Sequence, residues 1–448
     1  MMKILMFLPM IGVLFMHNVY SGKASQAYSN KDYTLAYQLW EQAGKKGNVI
    51  ALYNLGVMEL NNKGKSVEFK PSVTYFKKAC KKNFALACFE LGLMYYKTAA
   101  APHNPKKSIQ YIIKAAKQGD PSGQFKLAEH YEKTDIEKAI VWFKKSAKQN
   151  FIGSANSLAI IYEKRGDWDK AIYWYKKAVN QDFDALIRAR KAPFLKDGKT
   201  LNHRRAMGFY VNTSIDEALL GAQFNFGRFY DYVKSKYQDK KLARFWYEKS
   251  ALQGYNIAQH NLAMLFILGQ GGGKDFKKAK YWFEKGAKQN YSLSIFNLGY
   301  MHENGLGIPQ NSLKAIAFYK KVHGNNRGVA DKAIAIIHDN GIGVTKNRLK
   351  ALPWYIKAGR KNILYAQLRA AEILYSYKRY VRSFHWFNTA AKKVNDPEPH
   401  MVAHAQYMVG RMLYSGEGIK QNREQARKWL HKAVKNGSKK AAKMLKQK

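Results

Sequence analysis

Apolar positions along this chain recur in two alternating patterns. In the first, apolar side chains at i, i+3, i+4 and i+7 surround one small residue, as in ALYNLGVMEL at 51–60, AQHNLAMLFIL at 258–268 and LSIFNLGYMHENGLGI at 293–308. The small residue falls at Gly56, Gly92, Ala128, Ala159, Gly227, Ala263, Gly299, Ala335, Ala371 and Gly410. This spacing predicts an amphipathic helix, here termed helix A. In the second pattern an aromatic pair is followed by a Lys-rich step to a small residue, as in KAIVWFKKSAKQN at 138–150 and KAKYWFEKGAKQN at 278–290. It predicts helix B. Its first aromatic position falls at Leu39, Tyr75, Tyr111, Trp142, Trp174, Tyr210, Trp246, Trp282, Phe318, Trp354, Trp386 and Trp429, mostly 31 to 36 residues apart.

Twelve units of helix A, turn and helix B are thereby expected. Gly-rich segments such as NGLGIPQN at 304–311, NGIGVTKN at 340–347 and SGEGIKQN at 415–422 supply the A–B turn. One helix pair cannot bury its own apolar face, whereas stacked pairs share a continuous core. The expected fold is therefore all-α: a right-handed α-solenoid of stacked antiparallel helix pairs over residues 25–448, with an irregular unit around 184–215. The repeated Trp slot should be largely buried, each indole contributing roughly 3–5 kcal/mol.

Composition refines this picture. The chain has 448 residues, 77 Lys plus Arg, 31 Asp plus Glu, and a formal net charge of +46. Such a surface attracts polyanions, although the lysines are spread along the whole chain. Residues 1–24 read as a secretory signal peptide: Lys3 precedes an uncharged apolar run from Ile4 to Met16, with Ser21 and Ala24 as candidate cleavage points. No Cys follows that run, so no lipid-anchoring cysteine is present there. The expected location is exported, periplasmic or secreted.

The pattern resembles the Sel1-like repeat family, a relative of tetratricopeptide repeats. The resemblance rests on Leu55-Gly56, Leu91-Gly92 and Leu298-Gly299, on the Gly-x-Gly turns at Gly305/Gly307, Gly341/Gly343 and Gly416/Gly418, and on the Trp-aromatic pairs of helix B. It implies a non-catalytic scaffold that grips a protein or peptide in a concave groove, often in the cell envelope or against host cells. Cys80 and Cys88 are the two cysteines. Similarity to secreted, cysteine-containing members implies that they staple adjacent helices; two buried free thiols are the alternative.

Analogy with tetratricopeptide repeats places two columns in the groove. Three residues before the small position lie Tyr53, Phe89, Phe125, Phe224, His260, Phe296 and Tyr407; four after it lie Glu132, Glu163, Asp231, Glu303 and Asp339. The alternatives are inter-helix core for the rings and solvated helix ends for the acids. Arg188, Arg190, Lys191, Lys196, Lys199, Arg204 and Arg205 form the densest basic stretch, a candidate polyanion patch.

Other constellations carry less. GQGGGKD at 269–275 follows a helix and lacks the Lys-Ser/Thr ending of a phosphate loop. His400 and His404 lack the Glu of a metalloprotease motif. His302 and His338 occupy an aromatic packing slot shared with Tyr131 and Tyr162. No catalytic arrangement stands out, so no enzyme activity, cofactor or metal is expected. The expected partner is a protein or peptide bound by a monomer. A charge-driven complex with an anionic glycan or lipid surface is the competing reading, and nucleic acid is disfavoured if the chain is exported.

Overall fold

The computed structural model describes residues 22–60, 69–97, 103–179, 215–393 and 397–446. The described residues are helical or in turns, with no strand among them. Residues 1–21 of the expected signal peptide, most of the irregular unit and all seven residues of the basic stretch at 188–205 lie outside the described residues. No described helix is long and apolar enough to cross a membrane.

The chain divides into two compact units, Met1–Gln253 and Gly254–Lys448. In the first, A helices Val49–Leu60, Ala85–Lys97, Pro121–Glu132, Ile152–Lys164 and Ile215–Tyr232 alternate with B helices. These are Tyr33–Lys45, Phe69–Lys81, Pro105–Lys117, Ile136–Lys148, Trp168–Val179 and Lys240–Leu252. In the second, A helices Asn256–Leu268, Ser292–Asn304, Arg327–Asn340, Leu364–Ser376 and Pro399–Ser415 alternate with B helices Phe276–Lys288, Ser312–Lys321, Arg348–Arg360, Tyr380–Ala391 and Arg423–Lys435. Lys439–Lys446 ends the chain's helical succession. Within each unit consecutive helices pack in chain order, as a stack of helix pairs requires.

Local chemistry sets the helix ends. Seven residues before the first aromatic position, Asp32, Asn104, Asp135, Asp239, Asp275, Asn311, Asn347 and Asn422 each cap helix B by accepting a backbone N–H of its first turn. Eight residues after that position the chain leaves helix B through a left-handed residue. It is Gly47, Gly119, Gly254 or Gly437 in some repeats and Asn83, Asn150, Asn290 or Asn362 in others. Glycine adopts this conformation freely and asparagine tolerates it, which explains the recurrent Lys-Gln-Asn and Lys-Gln-Gly endings. The GQGGGKD segment is an A–B turn: Gly269 caps one helix in the left-handed region and Asp275 caps the next.

The core centres one residue beyond the expected slot. Trp40, Phe76, Phe143, Tyr175, Tyr247, Phe283, Tyr319, Tyr355 and Phe387 follow the first aromatic position and are fully buried. Of the Trp column Trp174 and Trp282 are buried, and Trp142, Trp246, Trp354, Trp386 and Trp429 are partly buried. All seven indoles are thus buried or partly buried, as the repeated slot predicts, but the residue after each lies deeper. Helix B presents two adjacent aromatics; a 100° step per residue lets only one point into the core, and the other lies along the boundary. Lysine stems cover that boundary, with the Lys145, Lys357 and Lys432 ammonium groups 4.2, 4.2 and 4.5 Å from the Trp142, Trp354 and Trp429 ring centres.

The small residue of helix A is set by the same core. An added Cβ at Gly56 would lie 2.6 Å from Phe76, and at Gly299 2.7 Å from Tyr319. Glycine there lets helices A and B approach across the fully buried ring.

Candidate functional site

The aromatic column expected in the groove is divided between core and boundary. Phe89 is fully buried, Tyr53 and His260 are buried, and Phe125, Phe224, Phe296 and Tyr407 are half-buried. Their contacts are intramolecular. Tyr53 packs 5.6 Å from Phe76, Phe125 5.7 Å from Phe143, Phe224 5.6 Å from Tyr247, His260 5.5 Å from Phe283 and Phe296 5.1 Å from Tyr319. These five rings thus lie on the buried aromatic of their own repeat, whereas the repeats of Phe89 and Tyr407 bury Ile112 and Leu430 there. Burial pushes the His260 imidazole down to about 4, so it is neutral at physiological pH. His302 and His338, also held below their ordinary value first by burial, are half-buried, and His302 stacks on Phe318.

The acidic column follows a rule that links it to helix B. Tyr175 donates to Glu163 at 2.6 Å, Tyr247 to Asp231 at 3.1 Å, Tyr319 to Glu303 at 2.6 Å and Tyr355 to Asp339 at 3.0 Å. Where the buried position is Phe76, Phe283 or Phe387, the acid is replaced by Leu60, Ile267 or Tyr375. Glu132, opposite Phe143, is the exception and is exposed. Four acids of this column therefore satisfy buried phenols. Burial first, then the acid partner, raises the Tyr175 and Tyr319 hydroxyls well above the ordinary tyrosine value; burial also leads for Tyr355.

Basic groups complete three of these pairs. Arg228 reaches Glu163 at 2.8 Å, Lys240 reaches Asp231 at 2.5 Å and Arg369 reaches Asp339 at 2.6 Å. Arg369 also binds Glu372 at 2.6 Å, and Glu372 lies 3.2 Å from His404. Burial works against the Glu372 charge, yet His404 and Arg369 hold its carboxyl below the usual range. His404 is thus part of a side-chain chain across neighbouring A helices. No group of three or more His, Cys, Asp or Glu able to hold a metal occurs among the described residues.

The more exposed residues of the A helices lie outside the expected columns. In the second unit, two residues before the small position lie Asn261 and Asn297, and one residue after it lie Met264, Tyr300 and Ile336. Leu268, Tyr300 and Val329 on three successive A helices are 51%, 44% and 41% exposed. In the first unit the corresponding Asn54 and Glu90 are buried, with no hydrogen-bond partner for their side chains. Burial, together with the Asp120 carboxylate, raises Glu90 to about 8. The sequence carries a matching signal: Asn54, Asn225, Asn261 and Asn297 recur two residues before the small position.

Cys80 and Cys88 form a disulfide, with Cα atoms 4.8 Å apart, across the turn joining Phe69–Lys81 to Ala85–Lys97. It leaves no free cysteine. Disulfides of this kind persist in oxidising compartments.

Comparison with known proteins agrees with this architecture. A comparison with curated proteins returned no match. Among solved structures, a protective antigen of uropathogenic Escherichia coli strains with an SLR fold is 24% identical, with a TM-score of 0.62 over 90% of this chain and 80% of that one. A Sel1 repeat protein from Oxalobacter formigenes is 26% identical over 52% of this chain and 94% of its own, with a TM-score of 0.38. The Sel1 repeat model matches eleven segments: 26–48, 49–84, 85–120, 121–151, 163–183, 221–255, 256–291, 292–321, 330–363, 365–395 and 403–438. They coincide with the repeats read from the sequence, except for the unit around Tyr210. With matched segments covering most of its length and the stacked A–B helix pairs that this repeat builds, the chain belongs to the Sel1 repeat family.

Proposed function

We propose that this chain is an exported, non-catalytic scaffold whose A-helix face in residues 254–448 binds a segment of another protein. Repeats of this kind generally serve protein–protein interaction. The observation that carries the reading is that Leu268, Tyr300 and Val329 are exposed on successive A helices, two of which also carry Asn261 and Asn297. Apolar and aromatic side chains provide contact area, and amides can pair with the backbone of an extended peptide. Export is supported by the Lys3–Met16 pattern and by the disulfide. Ala24 is fully buried beside Trp40 in the first helix pair, so cleavage after Ser21 preserves that core better than cleavage after Ala24.

Selection of a random peptide library on the full chain tests the binding reading. Enriched peptides should share an apolar motif, and Leu268→Asp with Tyr300→Asp should abolish their binding. Binding should change little with salt, because apolar contacts are not screened. The absence of any enriched peptide, or binders indifferent to both substitutions, would overturn it.

A further inference from the structure

Helix B carries a second repeated feature that peptide binding on helix A does not use. Three residues after the first aromatic position stand Lys78, Lys114, Lys145, Lys177, Lys249, Lys285, Lys321, Lys357 and Lys432. That is nine of the eleven described repeats, whereas 77 basic residues in 448 would place about two there by chance. None of the nine pairs with a described carboxylate. Eight lie over an aromatic ring of their own helix, at 4.2 to 6.0 Å from its centre.

Favourable interaction with the helix dipole does not account for this column. A second cation one turn later, at Lys81, Lys117, Lys148, Lys288, Arg360 and Lys435, already stands closer to the helix end. The ring-seated lysine is restrained by the aromatic beneath it, so less side-chain freedom is lost when an anion binds. Consecutive B helices bring these positions into succession: Lys320 lies over Trp354 of the next repeat at 5.9 Å, and the Tyr37 and Tyr75 hydroxyls meet at 3.3 Å. Exposed rings accompany the lysines: Tyr173 beside Lys177, and Phe245 and Tyr281 beneath Lys249 and Lys285, are each 47–57% exposed and edge-on to the neighbouring Trp.

We propose that the B-helix face of each unit is a binding surface for a linear anionic polysaccharide. One fixed cation per repeat on successive B helices suits a polymer with regularly repeated carboxylates or sulfates. The flanking ring faces suit stacking against sugar C–H groups. Two observations favour a glycan over nucleic acid. The column is built of lysine, a point charge, instead of the arginine forks that read phosphate bidentately. The disulfide also belongs in an oxidising compartment.

The test measures binding of a defined-length heparin oligosaccharide to the full chain at about 0.15 M salt. Replacing Lys78, Lys114, Lys145 and Lys177 together by Gln should weaken binding by about tenfold or more. Removing the same charge at Lys82, Lys106, Lys133 and Lys164, which lie outside the column, should weaken it by less than about threefold. The four column positions changed to Arg should bind like the wild type. If the Gln variant does not fold, Lys285→Gln, Lys321→Gln and Lys357→Gln in the second unit make the same comparison. Equal losses in column and control variants would overturn the proposal. So would tighter binding of oligothymidylate or anionic phospholipid vesicles at matched charge.

Discussion

The pairing of a buried tyrosine with an acid of the same repeat allows a stringent test at Tyr319 and Glu303. The hydroxyl donates to the carboxylate at 2.6 Å, and the Tyr319 ring is fully buried. Tyr319→Phe removes a charge-assisted hydrogen bond but leaves a half-buried carboxylate that water can reach, so the cost should be about 1–1.5 kcal/mol. Glu303→Ile strands a hydroxyl in the core and should cost about 1–3 kcal/mol. The double variant recreates the pair Phe283 and Ile267 found two helices earlier, so its cost should fall below the sum of the singles by about 1–2 kcal/mol. Repeat arrays need not unfold in a single step. Native-state hydrogen exchange of Ser292–Asn304 and Ser312–Lys321 is therefore the preferred assay, with urea unfolding as support. Additive single effects, or a Tyr319→Phe cost below about 0.5 kcal/mol, would refute the reasoning.

Three further outcomes follow from the structure. Glu90 is raised to about 8 from 4.5, so its neutral form favours folding fully below about pH 4.5 and that contribution is lost as pH rises through about 8; Glu90→Gln should therefore gain stability relative to wild type by up to about 3 kcal/mol between pH 5 and 7.5 in paired urea titrations. Gly299→Ala drives a methyl against Tyr319 and should cost about 1–3 kcal/mol in thermal unfolding, whereas Gly437→Ala, with no atom near its Cβ, should show only backbone strain, about 1 kcal/mol. Thiol titration of the denatured, unreduced, exported protein should find no free thiol, and reduction should cost at most about 2–3 kcal/mol because the Cys80–Cys88 loop is short.

The repeat architecture was legible because its determinants are local and repeated. Asx caps, left-handed Gly or Asn exits, a small residue in helix A and an aromatic pair in helix B recur in register. What the sequence could not settle was which of two adjacent aromatics points inward. Both Trp142 and Phe143 are large and apolar, and only the rotation of helix B against helix A puts Phe143 at the centre and Trp142 at the edge. The same one-residue ambiguity holds on helix A. Phe296 faces the core ring of Tyr319, while Asn297 and Tyr300 lie on the open side. The tyrosine contacts of the acids were hidden for another reason. Glu303 and Asp339 look like solvated helix ends until their alternation with Tyr or Phe at the buried position is noticed. That correlation is within the sequence, but it has meaning only once the two helices are known to be antiparallel partners. The Cys80–Cys88 pairing came from family resemblance, and the close Cα approach across a tight turn gives it a physical basis.

The most direct test of the scaffold reading is hydrogen–deuterium exchange of the full chain with and without a library-selected peptide. Binding to the open strip predicts added protection confined to Asn256–Leu268, Ser292–Asn304 and Arg327–Asn340, the A helices that carry Leu268, Tyr300 and Val329. Protection confined to the B helices Phe276–Lys288 and Ser312–Lys321, or no change in either set, would contradict it.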